Sequence, residues 1–293
     1  MAAGSFLELE IVLFNVDSSD DKVKADDRQQ CMEVILNTVL NENYPNLFVL
    51  CQDKINGPKH DILCQKLGQG PSPLKNEAGV YHRPVSDAGD YDMSYVDVAT
   101  LQRVDDRMGL EPGNPFTTAR LMACVLTSRG NDSKKVLMVS WHGPHKSKLK
   151  AACFRRLVRF SERLRQREGC QHNTNTCHQC CDIAIIGGDF NMPDKDARRE
   201  MDSLRKSDRV DGAVLGGYTT TRDRWKKKRT RKCIDFVVYW PKDAVPISSR
   251  SSVLLPHFRR RRGNRPFDHP IVLYRLGEAF LDLARQFSTL NYA

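Results

Sequence analysis

The chain has no run of roughly 18 apolar residues, the length a helix needs to cross a bilayer, so no membrane contact is expected. It also shows no secretory leader. The first apolar stretch, Phe6 to Val16, contains Glu8 and Glu10 and alternates, which is a strand pattern and not a signal core. Without a leader, the ten cysteines read as reduced thiols and not as a disulfide framework. A nuclear or cytoplasmic protein is therefore expected, not a secreted one. No internal repeat and no convincing linker interrupts the 293 residues, so a single domain over 1–293 is expected. Acids are the scarcer charge, 36 against 46 Lys plus Arg, and the formal net charge of +10 favours an anionic partner such as nucleic acid or another phosphate. No obligate protein partner is evident.

Hydrophobic residues make up 40% of the chain, enough for a sizeable core. Leu7, Leu9, Ile11 and Leu13 alternate with Glu8, Glu10, Val12 and Phe14 and predict a strand ending at Asn15-Val16-Asp17. A second strand, 47–51, finishes in Gln52-Asp53. Further strands are predicted at 80–83, 118–127, 135–141, 234–240, 253–255 and 271–276. Helical spacing puts Cys31, Val34, Ile35, Val39 and Leu40 on one face. The same spacing joins Leu149, Cys153, Leu157, Phe160 and Leu164, with Arg and Lys between them that predict a basic outer face. Residues 195–206 and 278–287 also read as helices, 54–78 as mostly irregular and 86–95 as an exposed loop, while 96–110 fits strand or helix. Helices lying between strands argue for an α/β protein, with two layers of sheet possible.

The most informative stretch is 182–193, Asp-Ile-Ala-Ile-Ile-Gly-Gly-Asp-Phe-Asn-Met-Pro. A short apolar run reads as a buried strand, two glycines permit a sharp bend, and Pro193 stops further pairing. Asp189 and Asn191, two apart, can then point into one site. The carboxylate can take a proton or face a metal, and the amide can donate to an oxyanion. An Asx-rich turn is the plainer reading of the same residues.

Six pieces in order resemble the endonuclease/exonuclease/phosphatase superfamily, the fold of pancreatic-type deoxyribonucleases. Phe14-Asn15-Val16, Leu50-Cys51-Gln52-Asp53 and Ser140-Trp141-His142 resemble three of its strand-end motifs. Gly187-Gly188-Asp189-Phe190-Asn191 matches its most specific motif in full. Ile234-Asp235-Phe236-Val237 and Asp268-His269 resemble the last two. The resemblance implies a four-layered α/β sandwich, two packed mixed β-sheets flanked by helices. It implies a Mg²⁺-dependent phosphodiesterase or phosphatase, with Mn²⁺ as a substitute metal. Asp53 would bind the metal, with Asn15 and Asp268 close by. Asp189 would position or deprotonate the attacking water, and Asn191 would hold a phosphate oxygen. His269, oriented by Asp235, would contact the scissile phosphate, with His142 supporting from the other side. Asp53 stands where the family motif has Glu, Phe267 where it has Ser, and Pro270 directly follows the histidine. A nuclease acting on DNA or RNA is the favoured reading. A phosphatase on a small substrate such as an inositol phosphate, and an inactive nucleic-acid-binding relative, are the alternatives.

Two basic runs, Arg222 to Lys232 and Arg259 to Arg265, directly precede the strands that carry Asp235 and Asp268. They suit contact with a nucleic-acid backbone, although a solvated loop or an import signal has the same composition. Cys170, Cys177 and Cys180 include a C-x-x-C spacing that could hold Zn²⁺, but a second such pair is absent from the sequence. His145 competes with His142 for the strand-end role, and Tyr81 and Arg120 are weaker phosphate-binding candidates, with packing as their ordinary alternative.

Overall fold

The computed structural model describes residues 9–15, 29–30, 32–34, 36–37, 40, 47–52, 58–67, 78–82, 91–129, 134–145, 147–166, 181–216, 233–242, 252–253 and 271–276. The first sheet has the order β10-β11-β1-β2-β3. Its strands are β1 (Leu9–Asn15), β2 (Leu47–Gln52), β3 (Gly79–His82), β10 (Ser252–Val253) and β11 (Val272–Leu276). The second has the order β4-β5-β6-β7-β9-β8. It is built from β4 (Tyr91–Tyr95), β5 (Leu121–Ser128), β6 (Lys135–His142), β7 (Ile183–Asp189), β8 (Ala213–Leu215) and β9 (Asp235–Trp240). Both sheets are mixed: β1 runs parallel to β2 and β6 parallel to β7, and the other pairs are antiparallel.

Three apolar clusters define four layers. Leu9, Ile11, Leu13, Phe48 and Leu50 of the first sheet pack between the sheets against Met122, Met138, Ile185 and Val237 of the second. The outer face of the first sheet, through Val12, Phe14, Val49 and Tyr81, meets Met32, Leu36 and helix α1 (Pro58–Leu67). The outer face of the second carries α2 (Val98–Met108), α3 (Lys150–Arg165) and α4 (Asp194–Asp208), whose Val104, Leu157 and Met201 join one core with Val139 and Ile186. The expected sandwich of two mixed sheets between helical layers is present. Two tyrosines tie the sheets by hydrogen bonds across the gap. Tyr95 donates to the Val80 carbonyl at 3.0 Å and Tyr274 to the Asp235 carbonyl at 3.3 Å.

Five sequence expectations change. Residues 58–67 form α1, where an irregular segment was expected; among its described side chains Ile62, Leu63 and Leu67 supply the buried stripe, too few for a clear period. Tyr91–Tyr95 is an edge strand and not a loop, with Asp92 and Ser94 facing solvent in the alternation of a half-buried edge. The segment 96–110 resolves as α2, capped by Asp97, whose side chain accepts from the Thr100 amide. Residues 118–120 form a 3-10 turn ahead of β5.

The fifth change is the outer face of α3, which is not a free basic surface. Arg156 is buried and bonds Asp105 at 2.6 Å and the Gly109 carbonyl at 2.8 Å. Arg155 pairs with Glu200, and Arg159 reaches both oxygens of Asp208 at 3.1 and 3.0 Å. Arg165 pairs with Glu162. Arg155, Arg156 and Arg159 fasten α3 to α2 and α4, while Arg165 stays on α3 and bonds the Cys181 and Asp182 carbonyls. The expected helix at 278–287 lies outside the described residues.

Candidate active site

Strand alternation decides where the polar residues at the strand ends point. Ile183 and Ile185 face the other sheet, while Ala184 and Ile186 face the helices. The same period turns Gly187 and Asp189 toward the other sheet. A Cβ at Gly187 would stand 2.6 Å from Leu50 and 2.8 Å from Leu13, so only glycine leaves room for the two sheets to close here. Val136 and Met138 set the same face for His142, and Val237 and Tyr239 set it for Asp235. The register places His142 opposite Asp189, and Asp189 opposite Asp235. Three buried polar side chains therefore form one row across β6, β7 and β9, spanning roughly 10 Å at normal strand spacing.

The turn after β7 fixes the fourth group. Asn191 adopts φ 52°, a left-handed conformation that Asn tolerates better than most residues. Its backbone N–H donates to Asp189 Oδ1 at 2.7 Å, which is an Asx turn. The Asx turn of the plainer reading is present, and it directs the Asn191 amide toward the end of β6. There Asn191 Nδ2 donates to the Gly143 carbonyl at 2.9 Å. Arg120 Nη1 donates to the same oxygen at 3.0 Å, and the Gly143 N–H returns a bond to the Asp189 carbonyl at 2.6 Å. Gly143 is a requirement of this contact, since a Cβ there would collide with the Phe190 carbonyl. Gly188 is another, with φ 142° and its Cα against the Trp141 carbonyl. Beneath the turn, Phe190 stacks on Phe236 with ring centroids 4.0 Å apart, a contact worth about 1 kcal/mol beyond its buried area.

Asn15 ends β1 two residues beyond Leu13, the residue that packs on Gly187. Alternation points it between the sheets, and it is buried. Its Oδ1 has no hydrogen-bond partner among the described residues. Gln52 stands beside Asn15 in the parallel register of β1 and β2. Asp53, Asp268 and His269 lie outside the described residues, as do Cys170, Cys177 and Cys180. Val272, which opens β11, pairs with Leu13. Tyr81 is turned the other way, into the core beneath α1.

His145 stays with the site as well as His142. The two rings meet edge to face with centroids 5.5 Å apart, His142 buried and His145 exposed. Sequence reasoning missed Gly143, which collects three of the bonds that hold the site; its signal was the Gly-Pro pair directly after a strand-end histidine.

No protein-family model matches the chain, and no curated protein matches it. Solved structures do. TDP2 from D. rerio, solved with a single-strand DNA product, aligns over 93% of this chain and 100% of its own at TM-score 0.54 and 13% identity. The human Nocturnin catalytic domain, solved with a sulfate anion, covers 92% and 93% at TM-score 0.54 and 14% identity. The fold is that of the endonuclease/exonuclease/phosphatase superfamily. A mannosyl-6-phosphatase from Bacteroides thetaiotaomicron also shares it, with coverage of 92% and 100%, TM-score 0.50 and 15% identity. In open α/β sheets ligands bind outside the carboxyl ends of parallel strands. In this endonuclease/exonuclease/phosphatase fold, Asn15, His142 and Asp189 occupy such ends.

Proposed function

We propose that the chain is a metal-dependent phosphoesterase that hydrolyses phosphodiester bonds of nucleic acid at the end of the sandwich marked by His142, Asp189 and Asp235. The observation that carries this reading is the buried row of these three side chains, with the Asn191 amide beside it. The donor set fits Mg²⁺, which takes oxygen ligands and keeps several waters. Asn15 Oδ1 is a buried oxygen with no partner among the described residues, and by the family resemblance Asp53 and Asp268 would join it. When bound, the metal would neutralise the phosphate and stabilise the leaving oxygen. Mn²⁺ is expected to substitute.

The chain's own residues supply the rest. Asp189 takes the proton of the attacking water. Asn191 has two amide hydrogens, one given to Gly143, and the other serves a phosphate oxygen. His142 holds the phosphate from the neighbouring strand. Asp235 orients His269, which contacts the scissile phosphate. We read residues 1–293 as one domain around this site.

Nucleic acid is preferred to a small phosphate because of where the described residues that flank the first basic run in the sequence lie. Gly216 packs on Asp194, and the Cys233 carbonyl accepts the Asp194 N–H at 2.9 Å. Gly216 and Cys233, which bracket Arg222 to Lys232 in the sequence, thus both meet the start of α4, and Asp235 follows Cys233 two residues later. Labelled single- and double-stranded DNA, RNA and phosphomonoesters, each with and without Mg²⁺, test the reading. Cleavage of an oligonucleotide only with metal is expected. Faster turnover of a phosphomonoester would favour a small-molecule phosphatase, and tight binding without cleavage would favour an inactive relative.

A further inference from the structure

We infer that His145 is a substrate-contacting residue, engaging a backbone phosphate next to the one held at the row of His142, Asp189 and Asp235. The inference rests on the proposed nucleic-acid reading and extends it to a residue outside that row. Three observations support it. First, the loop that carries His145 is fixed. The Gly143 carbonyl accepts from Arg120 and Asn191, the Gly143 N–H donates to the Asp189 carbonyl, and buried Pro144 fixes its own φ and restricts Gly143 before it. Second, His145 is exposed although the three residues before it are buried. Its ring meets that of His142 edge to face, which puts it beside the site, and an exposed side chain gains little from burial. Third, the local charge suits an anion. Exposed Lys148 follows, then Lys150 opens α3, and the first turn of that helix has no acidic residue.

An imidazole N–H held on a fixed loop can donate to a phosphate oxygen at small cost in ordering. At this position it lies beside the site and not within it, so it would select for a substrate with more than one phosphate. A polynucleotide meets that requirement.

The test is the affinity of the full chain for a fluorescently labelled single-stranded 12-nucleotide DNA, measured by anisotropy in EDTA so that no turnover intervenes, for wild type, His145→Ala and His145→Lys. His145→Ala is expected to bind about five- to tenfold more weakly, as for loss of one contact to a charged group. His145→Lys supplies an N–H donor but not the ring contact, and should bind within about twofold of wild type. Equal binding by wild type and His145→Ala overturns the inference. So does a lysine variant as weak as the alanine one, which would assign His145 to support of His142. Absence of any binding by wild type overturns the inference together with the choice of substrate. If the binding pattern holds but Mg²⁺ elicits no cleavage, the catalytic reading fails and the His145 contact stands.

Discussion

The body of α3 and the loop that leads into it are both basic, yet their charges have opposite fates. In the body, Arg155, Arg156, Arg159 and Arg165 each meet an acid, on α2, α4 or α3 itself. In the loop, His145 and Lys148 face solvent beside the buried row that ends β6 and β7. Basic residues of the first kind hold the helices of one layer to one another, and those of the second kind face solvent. A net charge of +10 does not distinguish them. The distinction appears only when the acids of neighbouring helices are placed.

Substitutions on the two sides should therefore separate activity from stability. The largest effect is expected at His142→Ala, which should lower turnover by about 10²- to 10³-fold, the usual loss for a group that stabilises transition-state charge. Its melting temperature should stay close to wild type. Arg156→Ala should do the reverse. It leaves Asp105 without its partner beneath the α2–α3 contact, and should cost about 2–3 kcal/mol in denaturant unfolding. Turnover of the folded fraction should be unchanged. If Arg156→Ala instead abolished activity at full stability, the division between the two regions would be wrong.

Replacing Lys226, Lys227, Lys228 and Arg229 together with Ser extends the comparison to the first basic run. Each lost phosphate contact should flatten the dependence of log affinity on log salt by about 0.9 on duplex DNA, up to about 3 to 4 units in all. The metal requirement should not change. An unchanged slope would return this run to the class of solvated or import-signal charges.

The smallest effect concerns acid stability. The Arg159 guanidinium, hydrogen-bonded to both oxygens of Asp208, holds that carboxyl below its ordinary value of 3.8. A depressed folded value means that the carboxylate adds stability above the unfolded value and loses it as pH falls through the folded one. The pair is partly exposed, so the contribution is about 0.5 kcal/mol. Arg159→Ala should remove the part of the stability loss that this pair contributes below about pH 4, and unfolding at pH 3 and pH 6 would measure it. An identical acid limb in the variant would show that the pair adds nothing.

The placing of four candidate residues was legible because they close strands whose apolar alternation is strong. The periods of β1, β6, β7 and β9 fix which face Asn15, His142, Asp189 and Asp235 take. Register was not legible, because nothing in the sequence says that His142 stands opposite Asp189 or that β9 lies between β7 and β8. Helix α1 and strand β4 were missed for lack of apolar contrast, since each buries only part of one face. The Gly143 hub was missed for another reason. Its three bonds come from residues at 120, 189 and 191, and no local pattern joins them.

The most direct test of the central claim is the steady-state cleavage of a labelled oligonucleotide by wild type and Asp189→Asn across a Mg²⁺ titration, with binding and melting measured on the same samples. The amide keeps the size of the carboxylate and can still accept the Asn191 N–H, but it cannot take a proton from water. The account predicts metal-dependent cleavage by wild type and a loss of about 10²- to 10⁴-fold in the variant at every Mg²⁺ concentration, with binding and melting retained. Cleavage by Asp189→Asn at near the wild-type rate under saturating Mg²⁺, or equal cleavage by wild type with and without metal, would contradict it.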